Sequence, residues 1–206
     1  MKPGFLSQPG VVSSLGHGLP ATIQRLLQAR SHALIPDDAW VVGRQIQVGW
    51  VCEPLLPWPE SQGPDFRSRN NQLLLPAAQQ IEPALQAALA HYGAGRIGVV
   101  IGTTTTGVQE NYAAFEYQHQ HGDWARAGYH HPHQMLSSPA DCLAAVYGLT
   151  GPTYSISTAC TSGARALISA QRLLSAGVCD AVVCGGVDSL SKLTINGFAA
   201  LEALSA

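Results

Sequence analysis

The chain has 206 residues, of which 46% are hydrophobic and only 12% are charged. This length is enough to bury a substantial core without disulfide bonds, and the formal net charge of −2 disfavours a general binder of nucleic acid or anionic membranes. Because a soluble domain usually carries about 25% charged residues, we expect a partner or further chain to cover part of this unusually neutral surface.

No apolar run is long enough to span a bilayer, and the first ten residues lack the apolar core of a signal peptide. The five cysteines are an odd number without a Cys-x-x-Cys pair, which is typical of reduced thiols. These observations predict a cytoplasmic protein that does not enter the membrane.

In chain order, the first predicted element is a helix near residues 21–29, within a proline-rich N-terminal region. From Asn70, apolar residues recur at three- and four-residue spacing, which predicts a helix that Pro83 must kink or divide. We expect that helix to end at Gly93 or Gly95, because glycine favours helix termination.

Three short apolar segments predict strands buried in a parallel sheet: residues 96–102, 153–158 and 178–184. A helix is expected between the last two, from about residue 160 to 176, with Gly177 as its left-handed C-terminal cap. Strand, helix and strand in this order form a βαβ unit. The predicted fold class is therefore α/β, with helices on the faces of a mostly parallel sheet.

Cys160 stands out among the candidate functional residues. It lies where the second predicted strand ends and a helix begins, among the small residues 157–164. The free N–H groups and the positive end of the helix macrodipole stabilise a thiolate at such a position, and the same N–H groups can hold an oxyanion. The pattern favours a nucleophile, although position alone leaves open a small buried core residue.

Residues 148–164 read GLTGPTYSISTACTSGA, and this segment closely resembles the active-site signature of the beta-ketoacyl carrier-protein synthases. These are the condensing enzymes of fatty-acid and polyketide assembly in the thiolase superfamily. The resemblance continues through residues 177–189 and 197–205 and covers about residues 70–205. It implies that residues 1–206 form the N-terminal half of a duplicated, layered, thiolase-like α/β fold with mixed sheets.

The resemblance also implies roles for single residues. Cys160 corresponds to the nucleophile that takes an acyl chain from the phosphopantetheine of acyl carrier protein. Phe198 corresponds to a phenylalanine of the acyl pocket, and Met135 to a pocket residue contributed across the dimer. Thr105 and Thr106 occupy a pocket-facing loop that is glycine-rich in the family, so their side chains fill space that glycine leaves open. No resident cofactor or metal is implied.

By the same resemblance we expect acyl carrier protein as a partner and a homodimer, or a heterodimer with a related synthase. The family's two catalytic histidines and a lysine belong to a second half, so we expect these 206 residues to accept an acyl chain slowly at best and not to complete condensation. The alternative is a non-catalytic module that dimerises or docks a carrier protein. Cys160 favours the catalytic class, because the related chain-length factors lack this cysteine.

Two rival motifs are weaker. Residues 102–107 have the Gly-x4-Gly spacing of a phosphate-binding loop, but Val108 and Gln109 replace the required Lys-Ser/Thr, which disfavours nucleotide binding. Five histidines lie between His119 and His133, a spacing at which imidazoles can bind zinc. They stand among glycines and a proline, so we interpret the segment as a polar loop without a metal.

Overall fold

The computed structural model describes residues 4–28, 33–55, 57–59 and 63–204. The strands are β1 (Val12–Ser13), β2 (Gly16–His17), β3 (Ile35–Val41), β4 (Arg44–Val48), β5 (Ile97–Gly102), β6 (Thr153–Ile156) and β7 (Ala181–Gly186). The helices are α1 (Leu19–Leu27), α2 (Arg69–Gln79), α3 (Glu82–Tyr92), α4 (Tyr112–His121), α5 (His131–Gln134), α6 (Ser138–Tyr147), α7 (Ser162–Ser175) and α8 (Lys192–Ala200).

A three-stranded parallel sheet in the order β6–β5–β7 forms the centre of the fold. Every residue of β5 is buried, because this strand is paired on both edges and covered on both faces. The helix between β6 and β7 therefore crosses β5 on its way from one outer strand to the other. The predicted α/β class and its parallel strands are confirmed.

The two faces of β5 pack against different helices. Three of its four large apolar side chains join buried residues of α2, α3 and α6 in one hydrophobic cluster: Ile97, Val99 and Ile101. Gly98 and Gly102 alternate with these residues and so point to the opposite face. On that face, a Cβ on Gly98 would meet Leu173 of α7 at an ordinary contact distance of 3.7 Å.

The apolar stripe predicted from Asn70 forms two helices, as the position of Pro83 requires. Pro83 lies in the first turn of α3, where its missing N–H breaks no intrahelical hydrogen bond. Ser68 caps α2, since its hydroxyl accepts a hydrogen bond from the backbone N–H of Asn71 at 3.2 Å. The predicted end of the second helix is also confirmed, because α3 is followed by Gly93.

Gly177 has a φ of +69° just after α7, so its predicted left-handed conformation is confirmed. The following strand begins later than predicted, at Ala181. Residues 178 and 179 instead close α7, because their N–H groups donate to the carbonyl oxygen of Leu173 at 3.0 and 3.4 Å. The Arg96 guanidinium also donates hydrogen bonds to the carbonyl oxygens of Gly177 and Val178 at 2.9 and 3.0 Å. Near the N-terminus, α1 confirms the first predicted helix, whose last residue, Ala29, lies outside the described residues.

The β3–β4 hairpin packs against α8. Ile46 and Val48 of β4 form a small buried cluster with Ile195 of α8, and the Asn196 amide donates a hydrogen bond to the carbonyl oxygen of Trp40 at 2.9 Å. These contacts fix α8 against the N-terminal part of the chain. No helix within the described ranges has the length and apolar character needed to cross a membrane.

Cys142 of α6 makes this fold less stable at alkaline pH. Its side chain is fully buried, and burial, with a smaller contribution from Asp141, raises the pKa of the thiol from 9.0 to about 12. In the unfolded chain the thiol ionises near its ordinary pKa, so unfolding releases a proton between these two values. The free energy of unfolding therefore falls as the pH rises through this window.

We predict a loss of about 2 kcal/mol from this thiol between pH 9 and about pH 10.5, at about 1.4 kcal/mol per pH unit. Urea unfolding followed by circular dichroism measures it. Cys142→Ala lowers stability at pH 8 but removes this component of the pH dependence. Equal pH slopes for the wild-type chain and the variant would contradict the assignment.

Candidate functional site

Three loops meet at the carboxyl edge of the central sheet, because β5, β6 and β7 are parallel. They are residues 103–107, 157–161 and 187–191; we call them the carboxyl-edge loops. Backbone hydrogen bonds join them where they begin: the N–H of Thr103 donates to the oxygen of Ile156 at 3.0 Å, and that of Val187 to the oxygen of Gly102 at 2.9 Å. This edge is where α/β folds bind ligands.

Cys160 lies in the second of these loops, at a tight turn between β6 and α7, and its side chain is exposed. The preceding residue, Ala159, has a left-handed φ of +54°, which costs a non-glycine residue about 1–2 kcal/mol. Ser162 holds the turn. Its hydroxyl donates to the oxygen of Ala159 at 2.7 Å and accepts from the N–H of Thr158 at 2.9 Å.

The turn presents the thiol at the start of a long helix. Cys160 precedes Thr161, the residue before the first turn of α7. The first-turn N–H groups of a helix have no intrahelical partner and carry partial positive charge, so they can stabilise an oxyanion. At this helix start the N–H groups of Thr161 and Ser162 already donate to the oxygens of Thr158 and Ala159, at 3.4 and 3.0 Å. The structure therefore places Cys160 where the sequence predicts it, between the end of β6 and the start of α7. Its role as a nucleophile stays a prediction.

Glycines let the start of α7 approach the sheet. A Cβ on Gly102 would lie 2.5 Å from the carbonyl carbon of Ser162 and 2.6 Å from the nitrogen of Gly163, too close for any side chain. A Cβ on Gly186 would lie 3.4 Å from the Gly102 oxygen and from the Gly163 Cα. The contact between Gly102 and α7 thus sets the position of the Cys160 turn.

The threonine loop, residues 103–106, wraps around a carboxylate that the sequence analysis did not single out. Asp188 follows β7, and its Oδ1 accepts hydrogen bonds from the N–H groups of Thr104 and Thr105 at 2.7 and 3.1 Å. These N–H groups are therefore occupied by an anion from the protein itself, which argues against the phosphate-loop alternative. The signal available in the sequence was an acidic residue two positions after the end of β7, at the carboxyl edge of the sheet.

Thr105 and Thr106 lie in this loop and are buried. The Thr105 hydroxyl donates to Asp188 at 3.1 Å and accepts from the N–H of Ser189 at 3.0 Å, so its hydrogen is engaged within the protein. Thr106 has a left-handed φ of +44°. A role for the two threonines in substrate binding stays a prediction. Thr105 could contribute to the shape of a pocket, since its hydroxyl hydrogen is already used within the protein.

Met135 and Phe198 lie outside the carboxyl-edge loops, and both keep open surface. Met135 follows α5 and is 44% exposed; Phe198 lies in α8 and is 49% exposed. The segment before Met135 is joined to the residue that follows the threonine loop, because the N–H of Gly107 donates to the oxygen of His133 at 2.8 Å. Their roles in an acyl pocket stay predictions.

The other cysteines differ from Cys160 in their surroundings. Burial raises the pKa of the thiols of Cys142, Cys179 and Cys184, so these three are poor nucleophiles at neutral pH. Cys52 is exposed like Cys160, but it lies in a connection outside any helix or strand. Cys52 is therefore the natural internal control for Cys160.

The histidine-rich segment shows no metal centre. Nowhere in the described ranges do three or more His, Cys, Asp or Glu side chains gather in an arrangement that could hold a metal ion. His130 instead contacts Asp65, with 3.1 Å between Nε2 and Oδ1, and its ring lies 4.4 Å from that of His133. His121 stacks on Tyr117.

This parallel sheet, with a cysteine at the start of the crossing helix, has the architecture of the thiolase-like ketosynthases. The structure of the ketosynthase ApeO in complex with its chain length factor ApeC from Xenorhabdus doucetiae contains a chain that matches 98% of this one. The TM-score is 0.89 and the sequence identity 35%, and the match covers 51% of that chain.

Residues 68–206 match the family "Beta-ketoacyl synthase, N-terminal domain", and the chain belongs to the beta-ketoacyl synthase family. The 3-oxoacyl-[acyl-carrier-protein] synthase 2 of Vibrio cholerae is 34% identical over 113 residues, which are 54% of this chain and 27% of that protein. The 3-oxoacyl-[acyl-carrier-protein] synthase 1 of Buchnera aphidicola is 26% identical over 100% of this chain and 51% of that protein. The chain therefore spans about half the length of the relatives that it matches from end to end.

Gly102→Ala tests the contact that positions Cys160. The added methyl must displace the first turn of α7, so we predict a loss of about 1–3 kcal/mol in the free energy of unfolding and a changed alkylation rate at Cys160. Gly185→Ala is the matched control on the adjacent strand, where a Cβ meets nothing within 4 Å. Equal stability and equal Cys160 reactivity in the two variants would contradict the account.

Proposed function

We propose that this chain is the nucleophile-bearing half of a 3-oxoacyl-acyl-carrier-protein synthase, a cytoplasmic acyltransferase that performs decarboxylative Claisen condensation. The observation that carries the proposal is the exposed Cys160 at a constrained turn between β6 and α7. The names of the Vibrio and Buchnera relatives support this activity.

In the first step, the Cys160 thiolate attacks the thioester carbonyl of an acyl chain carried on the phosphopantetheine of acyl carrier protein. A new bond forms between the Cys160 sulfur and the carbonyl carbon. The bond to the phosphopantetheine sulfur then breaks, and the released thiolate takes up the proton that Cys160 lost. N–H groups at the start of α7 stabilise the negative oxygen of the tetrahedral intermediate.

In the second step, a malonyl unit loses CO₂ and its carbanion attacks the acyl-Cys160 thioester, which forms the 3-oxoacyl product and returns the thiolate. We assign this step to the complete two-half protein, whose second half supplies the histidines by family resemblance. In this scheme the acyl chain lies against Phe198, Met135, Thr105 and Thr106.

A dimeric assembly with a homologous synthase, or with a second copy, is part of the proposal. Apolar side chains remain exposed on the two helices beside the site: Leu167 and Ile168 of α7, and Leu193 and Phe198 of α8. Exposed apolar surface of this kind marks interaction sites. The complex of a ketosynthase with a chain length factor supports a related partner as the occupant.

The same exposed surface supports the second candidate, a non-catalytic module that dimerises or docks a carrier protein. The two candidates differ in one property. A catalytic half forms a covalent thioester at Cys160, whereas a docking module binds the carrier protein without chemistry.

We predict that octanoyl-acyl carrier protein transfers its acyl group to the wild-type chain, with the mass increase located at Cys160 by peptide mapping. Cys160→Ser abolishes the transfer, and Cys52→Ser, the matched control, leaves it unchanged. Binding without acylation would support the docking module. Formation of a 3-oxoacyl product from malonyl carrier protein by the 206 residues alone would contradict the two-half assignment.

A further inference from the structure

We propose that Asp188 is a positioning residue, whose carboxylate fixes the threonine loop as the wall of the site beside Cys160 and so controls access of the acyl donor. The inference rests on the proposed acyl transfer. Asp188 follows β7, whereas Cys160 follows β6, and these two strands lie on opposite sides of β5.

Asp188 collects an unusual number of donors on one oxygen. Besides the two backbone N–H groups, its Oδ1 accepts hydrogen bonds from the hydroxyls of Thr103, Thr104 and Thr105 at 3.3, 3.0 and 3.1 Å. One carboxylate oxygen has about two lone-pair sites, so these donors share it, and all three threonine hydroxyls lie within hydrogen-bonding distance of the same acceptor. The orientation of the loop therefore depends on this one acceptor.

The network extends beyond the loop. The oxygen of the Thr103 hydroxyl accepts from the amide of Asn70 in α2 at 3.2 Å and from the N–H of Thr106 at 3.4 Å. Thr103 and Asn70 are fully buried. Asp188 thus connects β7, the loop after β5 and the start of α2. Hydrogen bonds accepted by a carboxylate are stronger than those between neutral groups.

This network adjoins the Cys160 turn. The N–H of Thr103 donates to Ile156, the last residue of β6, at 3.0 Å, and the loop follows Gly102, which contacts Ser162 and Gly163 of α7. The threonine loop is thus joined through the backbone to the end of the strand that leads to Cys160. The turn that carries the thiol is held by other bonds, those of Ser162 with the backbone of Thr158 and Ala159.

The two sets of bonds predict a specific difference between reagents. Loss of the Asp188 carboxylate frees the loop but leaves the turn that holds Cys160, so a small alkylating agent still reaches the thiol. A carrier-bound acyl chain needs an ordered wall for alignment, and small misplacements of reacting groups cost up to about 100-fold in rate. Acylation should therefore fall while alkylation stays nearly constant.

The test compares Asp188→Asn with Asp180→Asn. Asp180 lies just before β7, at the opposite end of the same strand, where its carboxylate pairs with Arg96; this control removes an aspartate charge far from the carboxyl edge. For each chain we would measure the rate of Cys160 acylation by octanoyl-acyl carrier protein and the rate of its alkylation by iodoacetamide. Thr104→Val, which removes one exposed hydroxyl from the network, is the milder second variant.

We expect Asp188→Asn to slow acylation about 10-fold or more, Thr104→Val to slow it by a smaller factor, and both to keep alkylation within about twofold of wild type. Asp180→Asn should change neither rate. Normal acylation in Asp188→Asn and Thr104→Val, or an equal fall in both rates, would overturn the positioning role. A wild-type chain that is alkylated at Cys160 but never acylated would instead refute the proposed function, and the positioning role with it.

Discussion

The close approach of the first turn of α7 to the carboxyl end of β5 is the contact on which the site depends. Gly102 permits it, because any side chain there would overlap the backbone of Ser162 and Gly163. With the helix start held against the sheet, the chain has few residues in which to turn from β6 into α7. The left-handed Ala159 is the result, and the strain is stored directly before Cys160.

The threonine loop adds a second constraint from the other side. It leaves β5 at the same glycine, and the Asp188 carboxylate holds it toward β7. The backbone N–H groups of such a glycine-bounded loop form a cradle for an anion. In this protein the Asp188 carboxylate occupies that position, so the N–H groups of the loop fix the conformation of the loop and are not available to a phosphate.

Local signals carried most of what could be predicted from the sequence. The buried β5, the division of the helices before Pro83 and the left-handed Gly177 depend on short-range composition, and all three are confirmed. The hydrogen bonds of Asp188 could not be predicted, because they join residues that are far apart in the sequence; Thr104, for example, is 84 positions from Asp188. No periodicity encodes such a contact. The order β6–β5–β7 is likewise a product of long-range pairing.

The relative alkylation rates of Cys160 and Cys52 test the central claim most directly. Both thiols are exposed, so a difference in rate at equal reagent concentration reports activation rather than access. At pH 7.5 with iodoacetamide, the account predicts that Cys160 is modified about 10-fold faster than Cys52, because only Cys160 lies at the start of a helix. Equal rates for the two thiols would contradict the claim that this turn activates a nucleophile.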